Sequence, residues 1–138
     1  MKVKFEGIEI EGDKRFINHT KKALRLLKNK APYYYKLFVY KFIRRIKLYR
    51  LSGVCLDSIF LVSKKTAFPG LRWYASNIVH ESCHLWRNAR GLKPGGTKAE
   101  LECIRVQIKV GLLIGLSKQN IKYLKSLDGT HWKLPRTW

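Results

Sequence analysis

Apolar and polar positions alternate at the start of the chain: Val3, Phe5, Ile8 and Ile10 stand against Lys2, Lys4 and Glu9, with Gly7 breaking the run. A period of two predicts a short strand or hairpin over residues 2–10. From residue 13 the period lengthens. Phe16, Thr20, Ala23, Leu24 and Leu27 recur at helical spacing, Lys21, Lys22, Arg25 and Lys28 face away, and Asp13 is placed to cap a helix over 13–30. Residues 33–46 give two signals. Their aromatic and β-branched content favours a strand, but Tyr35, Phe38, Val39, Phe42, Ile43 and Ile46 share one helical face, and the spacing predicts a helix. Residues 47–63 read as extended, with a break at Ser52-Gly53, a turn at Asp57-Ser58 and the clearest strand at Ile59–Val62. Helices are predicted over 71–89 and from Thr97 to about Leu116, joined by the loop 90–96. Ser117 caps a last helix that ends before Asp128-Gly129. Residues 130–138 hold two tryptophans and a proline with no helical period. The pattern predicts one α+β domain over 1–129, followed by a tail, 130–138.

Composition narrows the class. Within 138 residues, 46% are hydrophobic, which supports a buried core and argues against disorder. Cys55, Cys83 and Cys103 are odd in number and widely spaced, so they read as reduced thiols rather than a disulfide framework. The first residues lack an apolar leader and no apolar run is long enough to span a membrane, so a cytoplasmic chain without membrane insertion is expected. The charge is unusual: 29 Lys and Arg against 9 Asp and Glu, a net +20. Such a surplus suggests nucleic acid as a partner. The candidate contacts are Lys21, Lys22, Arg25, Lys28, Arg44, Arg45 and Arg50, interleaved with tyrosines. These cations are dispersed along helix faces without a base-reading motif, so this remains an alternative. The scarce acids are more informative. After residue 57 the only ones are Glu81, Glu100, Glu102 and Asp128.

Glu81 falls inside His80-Glu81-Ser82-Cys83-His84, which fits H-E-x-x-H. Histidines at i and i+4 of a helix point the same way and can share one zinc ion, while the glutamate flanks the metal as a general base. Two plain surface histidines stacking on Trp73 or Trp86 would match the same spacing.

A catalytic zinc needs a third protein ligand and an open fourth position. Lys98, Glu102, Arg105 and Lys109 form one polar stripe on the next helix, which predicts that Glu102 faces solvent beside Lys98 or Arg105. Glu100 lies on the other side, with Cys103, Ile104 and Gln107. A carboxylate on a buried face calls for a metal or a partner, which makes Glu100 the candidate ligand and Glu102 the fallback. Thr97-x-x-Glu100 also matches a capping box, a competing use of the same carboxylate. Cys103 is a substitute ligand, Cys83 is expected beneath its helix, and Gln107 is a candidate hydrogen-bonding support. His19 is expected at the surface of a basic helix. In the tail, His131 stands beside Trp132, where it could fill the fourth metal position, stabilise an oxyanion or simply pack.

With these residues the chain resembles the gluzincin zinc peptidases, and among them the minigluzincins, small soluble metallopeptidases of thermophilic prokaryotes. It is more distantly similar to the catalytic domains of membrane zinc peptidases of the CAAX-prenyl-protease and HtpX type. The likeness covers roughly residues 13–127. In that family H-E-x-x-H is followed by E-[aromatic or aliphatic]-x-A-D, and here the second motif reads Glu100-Leu101-Glu102-Cys103-Ile104. The resemblance implies that Glu100 is a zinc ligand. It also implies a zincin-like fold with a small, mostly antiparallel sheet, an active-site helix, a glutamate helix and additional packing helices. An edge strand, taken as Ile59–Val62, would align an extended peptide. Ile104 stands where the family has an aspartate, which removes an expected support for the zinc histidines unless Gln107 or a backbone carbonyl replaces it. The family further implies latency, with the tail 130–138 blocking the cleft. The expected function is thus a zinc-dependent endopeptidase acting on peptides or unfolded proteins. A nucleic-acid-binding module and a non-catalytic zinc protein are the alternatives.

Overall fold

The computed structural model describes residues 1–130. The chain opens with a hairpin, β1 (Lys2–Phe5) and β2 (Ile8–Glu11), turned through Glu6 and Gly7. Both turn residues have positive φ, 54° and 79°. That is the backbone a two-residue turn needs to match the twist of its strands, and glycine adopts it freely. Helix α1 (Lys14–Lys30) follows, and Asp13 Oδ1 accepts from Phe16 N at 2.8 Å as the sequence predicts.

The expected helix over 33–46 is shorter and differently wound. A first turn, α2 (Pro32–Tyr34), runs into a π-helical stretch at Tyr35–Tyr40, and the chain is extended again by β3 (Arg45–Leu48). Ile46 therefore belongs to a strand. Its spacing from Ile43 matched a helical face, but its side chain completes a row across the sheet: Val3, Ile10, Ile46, Phe60 and Val54 lie in register on five neighbouring strands. The middle three are fully buried.

After β3 come β4 (Gly53–Cys55), β5 (Ile59–Val62) and a single turn, α3 (Lys64–Ala67), for which the sequence carried no signal. The sheet order is β1-β2-β3-β5-β4. Its pairings are mixed, antiparallel for β1–β2 and β4–β5, parallel for β2–β3 and β3–β5. This corrects two expectations. The sheet is not mostly antiparallel, because α1 and α2 form a crossover that returns the chain parallel to β2. Nor is Ile59–Val62 an edge strand: it lies between β3 and β4, and the edge beside it is β4. An unbroken apolar run suits a strand with neighbours on both sides.

One sheet face carries cross-strand ion pairs, Glu9 with Arg45 at 2.7 Å and Glu11 with Lys47 at 3.1 Å. Ile10, Ile46 and Phe60 face the other way, into a core shared with Phe16, Leu24, Leu27, Tyr74, Ile78 and Val79. Helix α4 (Leu71–Ala89) runs through that core and packs against α1, the π-helical stretch, β4 and above all α5 (Thr97–Ile114). Gly115 ends α5 at φ 83°, a left-handed cap. Ser117 Oγ then accepts from Asn120 N to start α6 (Lys118–Ser126). Among the described residues this gives six α-helices and five strands, an α+β fold. No helix among them is long and apolar enough to cross a membrane.

Candidate metal centre

Helix α4 brings His80 and His84 to one face, one turn apart, and the first turn of α5 brings Glu100 against them. The three side chains converge on one point. His80 Nε2 lies 3.1 Å from Glu100 Oε2, His84 Nε2 lies 3.1 Å from Glu100 Oε1, and the two Nε2 atoms are 3.3 Å apart. The group is buried and has the spacing of a metal site. Tetrahedral zinc with bonds of about 2.1 Å needs donor atoms about 3.4 Å apart, the edge of the tetrahedron. The observed spacings fit that requirement.

The tautomers fit as well. His84 Nδ1 donates to the Pro94 carbonyl at 2.5 Å, so a neutral His84 turns the lone pair of Nε2 toward Glu100 and His80. A lone pair of His84 Nε2 facing a Glu100 carboxylate oxygen at 3.1 Å is unfavourable unless a cation lies between them. That cation is either a metal ion or a proton. Burial opposes a charged His84, but the hydrogen bond to Glu100, the Glu81 and Glu100 carboxylates and the Pro94 carbonyl outweigh it, and hold the imidazole pKa up at about 9. Burial likewise opposes an ionised Glu100, yet hydrogen bonds from His80 and His84 keep its carboxyl far below the usual range.

This predicts a pH dependence for chelator-treated protein. The raised His84 pKa contributes stability that is fully present below about pH 6.5 and is lost as pH rises through about 9. The lowered Glu100 pKa contributes stability that is present above the ordinary carboxylate range and is lost as pH falls below it. Urea denaturation should therefore show stability falling between pH 6.5 and 9 with chelator, and a smaller fall with zinc, which occupies the same Nε2. Equal slopes would contradict the arrangement.

Glu81 sits beside the cluster, its Oε1 4.0 Å from His80 Nε2. His80, Glu81, His84 and Glu100 are each at most 8% exposed. His80, Glu81 and Glu100 nevertheless line a cleft of about 380 Å³. The cleft continues over Asn77, Trp73 and Gln107 and past Tyr123 of α6. A small molecule can thus reach the glutamate and one side of the cluster.

The other nominated residues fall into place around this centre. Glu102 is not part of the cluster. It binds Arg87 Nη1, a partner from α4 rather than the expected Lys98 or Arg105. The polar stripe gave its direction along α5 but not the neighbouring helix. The N-cap of α5 is Gly96 and Thr97 is its first helical residue, one position past where the expected capping box would place it. Cys83 and Cys103 lie buried beneath the two helices and outside the converging group, and the neighbouring Cys83 together with burial pushes the Cys103 thiol far up. Gln107 donates to Ser76 Oγ at 3.1 Å, tying α5 to α4 below the cleft. Trp73 pairs with Tyr123, and Trp86 with Phe38 and Arg90. His131 lies outside the described residues.

His19 is not a surface residue. It is half-buried, stacks on Tyr74 and donates from Nε2 to the Ala67 carbonyl at 2.6 Å. Among the proposed nucleic-acid contacts, Lys28 pairs with Glu6, Arg45 pairs with Glu9 and Arg25 lies over the Phe5 ring.

Arg87 escaped the sequence reading, although an arginine one turn beyond His84 on a largely buried helix was its signal. Buried itself, Arg87 donates from Nε to the Lys93 carbonyl at 2.9 Å and binds Glu102. It thereby fixes the loop whose next carbonyl, that of Pro94, orients His84. This backbone carbonyl is the hydrogen-bond acceptor that orients His84. His80 Nδ1 is buried with no hydrogen-bond partner. No family model, curated protein or solved structure matches the chain.

Proposed function

We propose that the protein is a zinc-dependent endopeptidase of the gluzincin type, with His80, His84 and Glu100 as ligands and Glu81 as general base. The observation that carries this reading is the convergence of two imidazole Nε2 atoms and one carboxylate at tetrahedral spacing, beside a glutamate that lines an open cleft. Zinc, when bound, lowers the pKa of a coordinated water and polarises a carbonyl. Glu81 then takes the proton of the attacking water and delivers it to the leaving amine. Pro94 and Arg87 keep His84 in the tautomer that coordination requires. Strand β4, packed against α4, is a sheet edge among the described residues, on which an extended peptide can add a further strand. The pairing of a histidine helix, α4, with a glutamate helix, α5, supports a zincin-like reading, while the mixed sheet departs from the mostly antiparallel one that reading implies.

Latency through the tail belongs to the same proposal. Gly129, at φ 86°, passes so close to the start of α5 that a Cβ there would sit 2.7 Å from the Thr97 carbonyl, so the tail departs one turn from Glu100. Cleavage of an unfolded protein by the zinc-loaded chain should be abolished by a chelator, and deleting residues 130–138 should raise it several-fold. Chelator-resistant cleavage would refute the metallopeptidase reading. No gain on truncation, in protein that keeps its helical circular dichroism, would refute latency alone.

A further inference from the structure

We propose that the cleft recognises a carboxylate on its peptide through Lys65, whose supporting turn is braced by the hydroxyls of Ser52 and Thr66. This rests on the peptidase reading and adds a substrate class to it. The lining of the cleft divides by chemistry. Trp73, Ile104, Leu124 and Leu127 are apolar, whereas Ser52 and Thr66 are polar and Lys65 brings an ammonium donor. Lys65 also lines the adjoining groove, beside Arg50 and Lys64, so the two depressions share this ammonium group. Among the described residues the carboxylates in the cleft are Glu81 and Glu100, both at the proposed metal centre, and none lines the groove. An anionic peptide therefore meets uncompensated positive charge there, which favours both its approach and its orientation.

The backbone that carries Lys65 is held from two sides. Ser52 Oγ accepts from Ser63 N at 2.8 Å and bonds Thr66 Oγ1 at 2.7 Å. His19 holds the Ala67 carbonyl from α1. The ammonium group thus departs from a fixed turn, and its side chain is exposed. The carboxylate it takes has two sources, an acidic side chain or the C-terminus of the peptide.

The test uses full-length, zinc-loaded Glu81→Gln protein and peptides carrying an uncharged fluorophore. One pair differs by Glu against Gln within the chain, the other by a free against an amidated C-terminus. Fluorescence anisotropy should show about five- to tenfold tighter binding of the carboxylate member in at least one pair, the gain of a solvent-facing ion pair. The discriminating pair names the source. Lys65→Gln should erase the difference, and Lys22→Gln, which removes the same charge from the exposed face of α1, should preserve it. Equal affinities within both pairs, binding of no peptide, or the same loss in Lys22→Gln would overturn the proposal. Cleavage by the wild-type chain is read separately. Discrimination without cleavage, both by the full-length chain and after deletion of residues 130–138, would refute the peptidase reading and leave the carboxylate site standing, and cleavage without discrimination would do the reverse.

Discussion

Glu81→Gln should retain zinc at the wild-type stoichiometry and lose peptide hydrolysis by about 10²- to 10⁴-fold, the usual contribution of a positioned general base. The substitution preserves side-chain size in a group that is almost fully buried, so the cleft keeps its shape. Among the described residues it removes the carboxylate beside the cluster that is not proposed as a ligand: Oε1 of Glu81 is 4.0 Å from His80 Nε2, whereas both oxygens of Glu100 lie within 3.1 Å of a histidine nitrogen. Cleavage rates with a single substrate, normalised to bound zinc, decide the matter. A variant that keeps its zinc and cuts within a few-fold of wild type would remove Glu81 from the mechanism.

The second large effect separates two glutamates that lie two residues apart. Glu100→Ala should weaken zinc binding by about 10²- to 10³-fold, since an apparent binding free energy of roughly 10–16 kcal/mol is shared among about four ligands. Glu102→Ala should leave zinc affinity within a few-fold of wild type. It should instead cost about 1–3 kcal/mol of folding stability, because buried Arg87 loses its charged partner. Competition with a chromophoric chelator measures the first quantity and urea denaturation the second. Reversal of the two outcomes would mean that the wrong carboxylate has been assigned.

The elements that the sequence predicted well are those whose signals are local. Asp13 and Ser117 cap the helices they were expected to cap, and α4 and α5 start where the period of 3.6 begins. The His80–His84 spacing and the inward side of Glu100 are likewise properties of single helices. What was illegible depends on neighbours distant in sequence. Ile46 fits a helical face as well as a strand, and only the register with Ile10 and Phe60 decides. The same holds for the interior place of β5, for His19 beneath α3 and for the Arg87–Glu102 pair, which joins two helices.

The large positive charge also looks different once the acids are placed. Glu6, Glu9 and Glu11 each bind a cation of the hairpin, the sheet or α1, Asp13 caps α1, and Glu102 binds Arg87. Glu81 and Glu100 stand at the proposed metal centre. Lys64 and Lys65 beside the cleft form no ion pair among the described residues, and the proposed carboxylate preference draws on Lys65.

The central claim is that two imidazoles and a carboxylate hold the metal, with the buried thiols excluded. X-ray absorption at the zinc edge of the loaded full-length chain tests it most directly. The account predicts two imidazole nitrogens with the remaining ligands all oxygen, at about 2.0–2.1 Å. A sulfur shell at about 2.3 Å, or bound zinc without imidazole scattering, would contradict it.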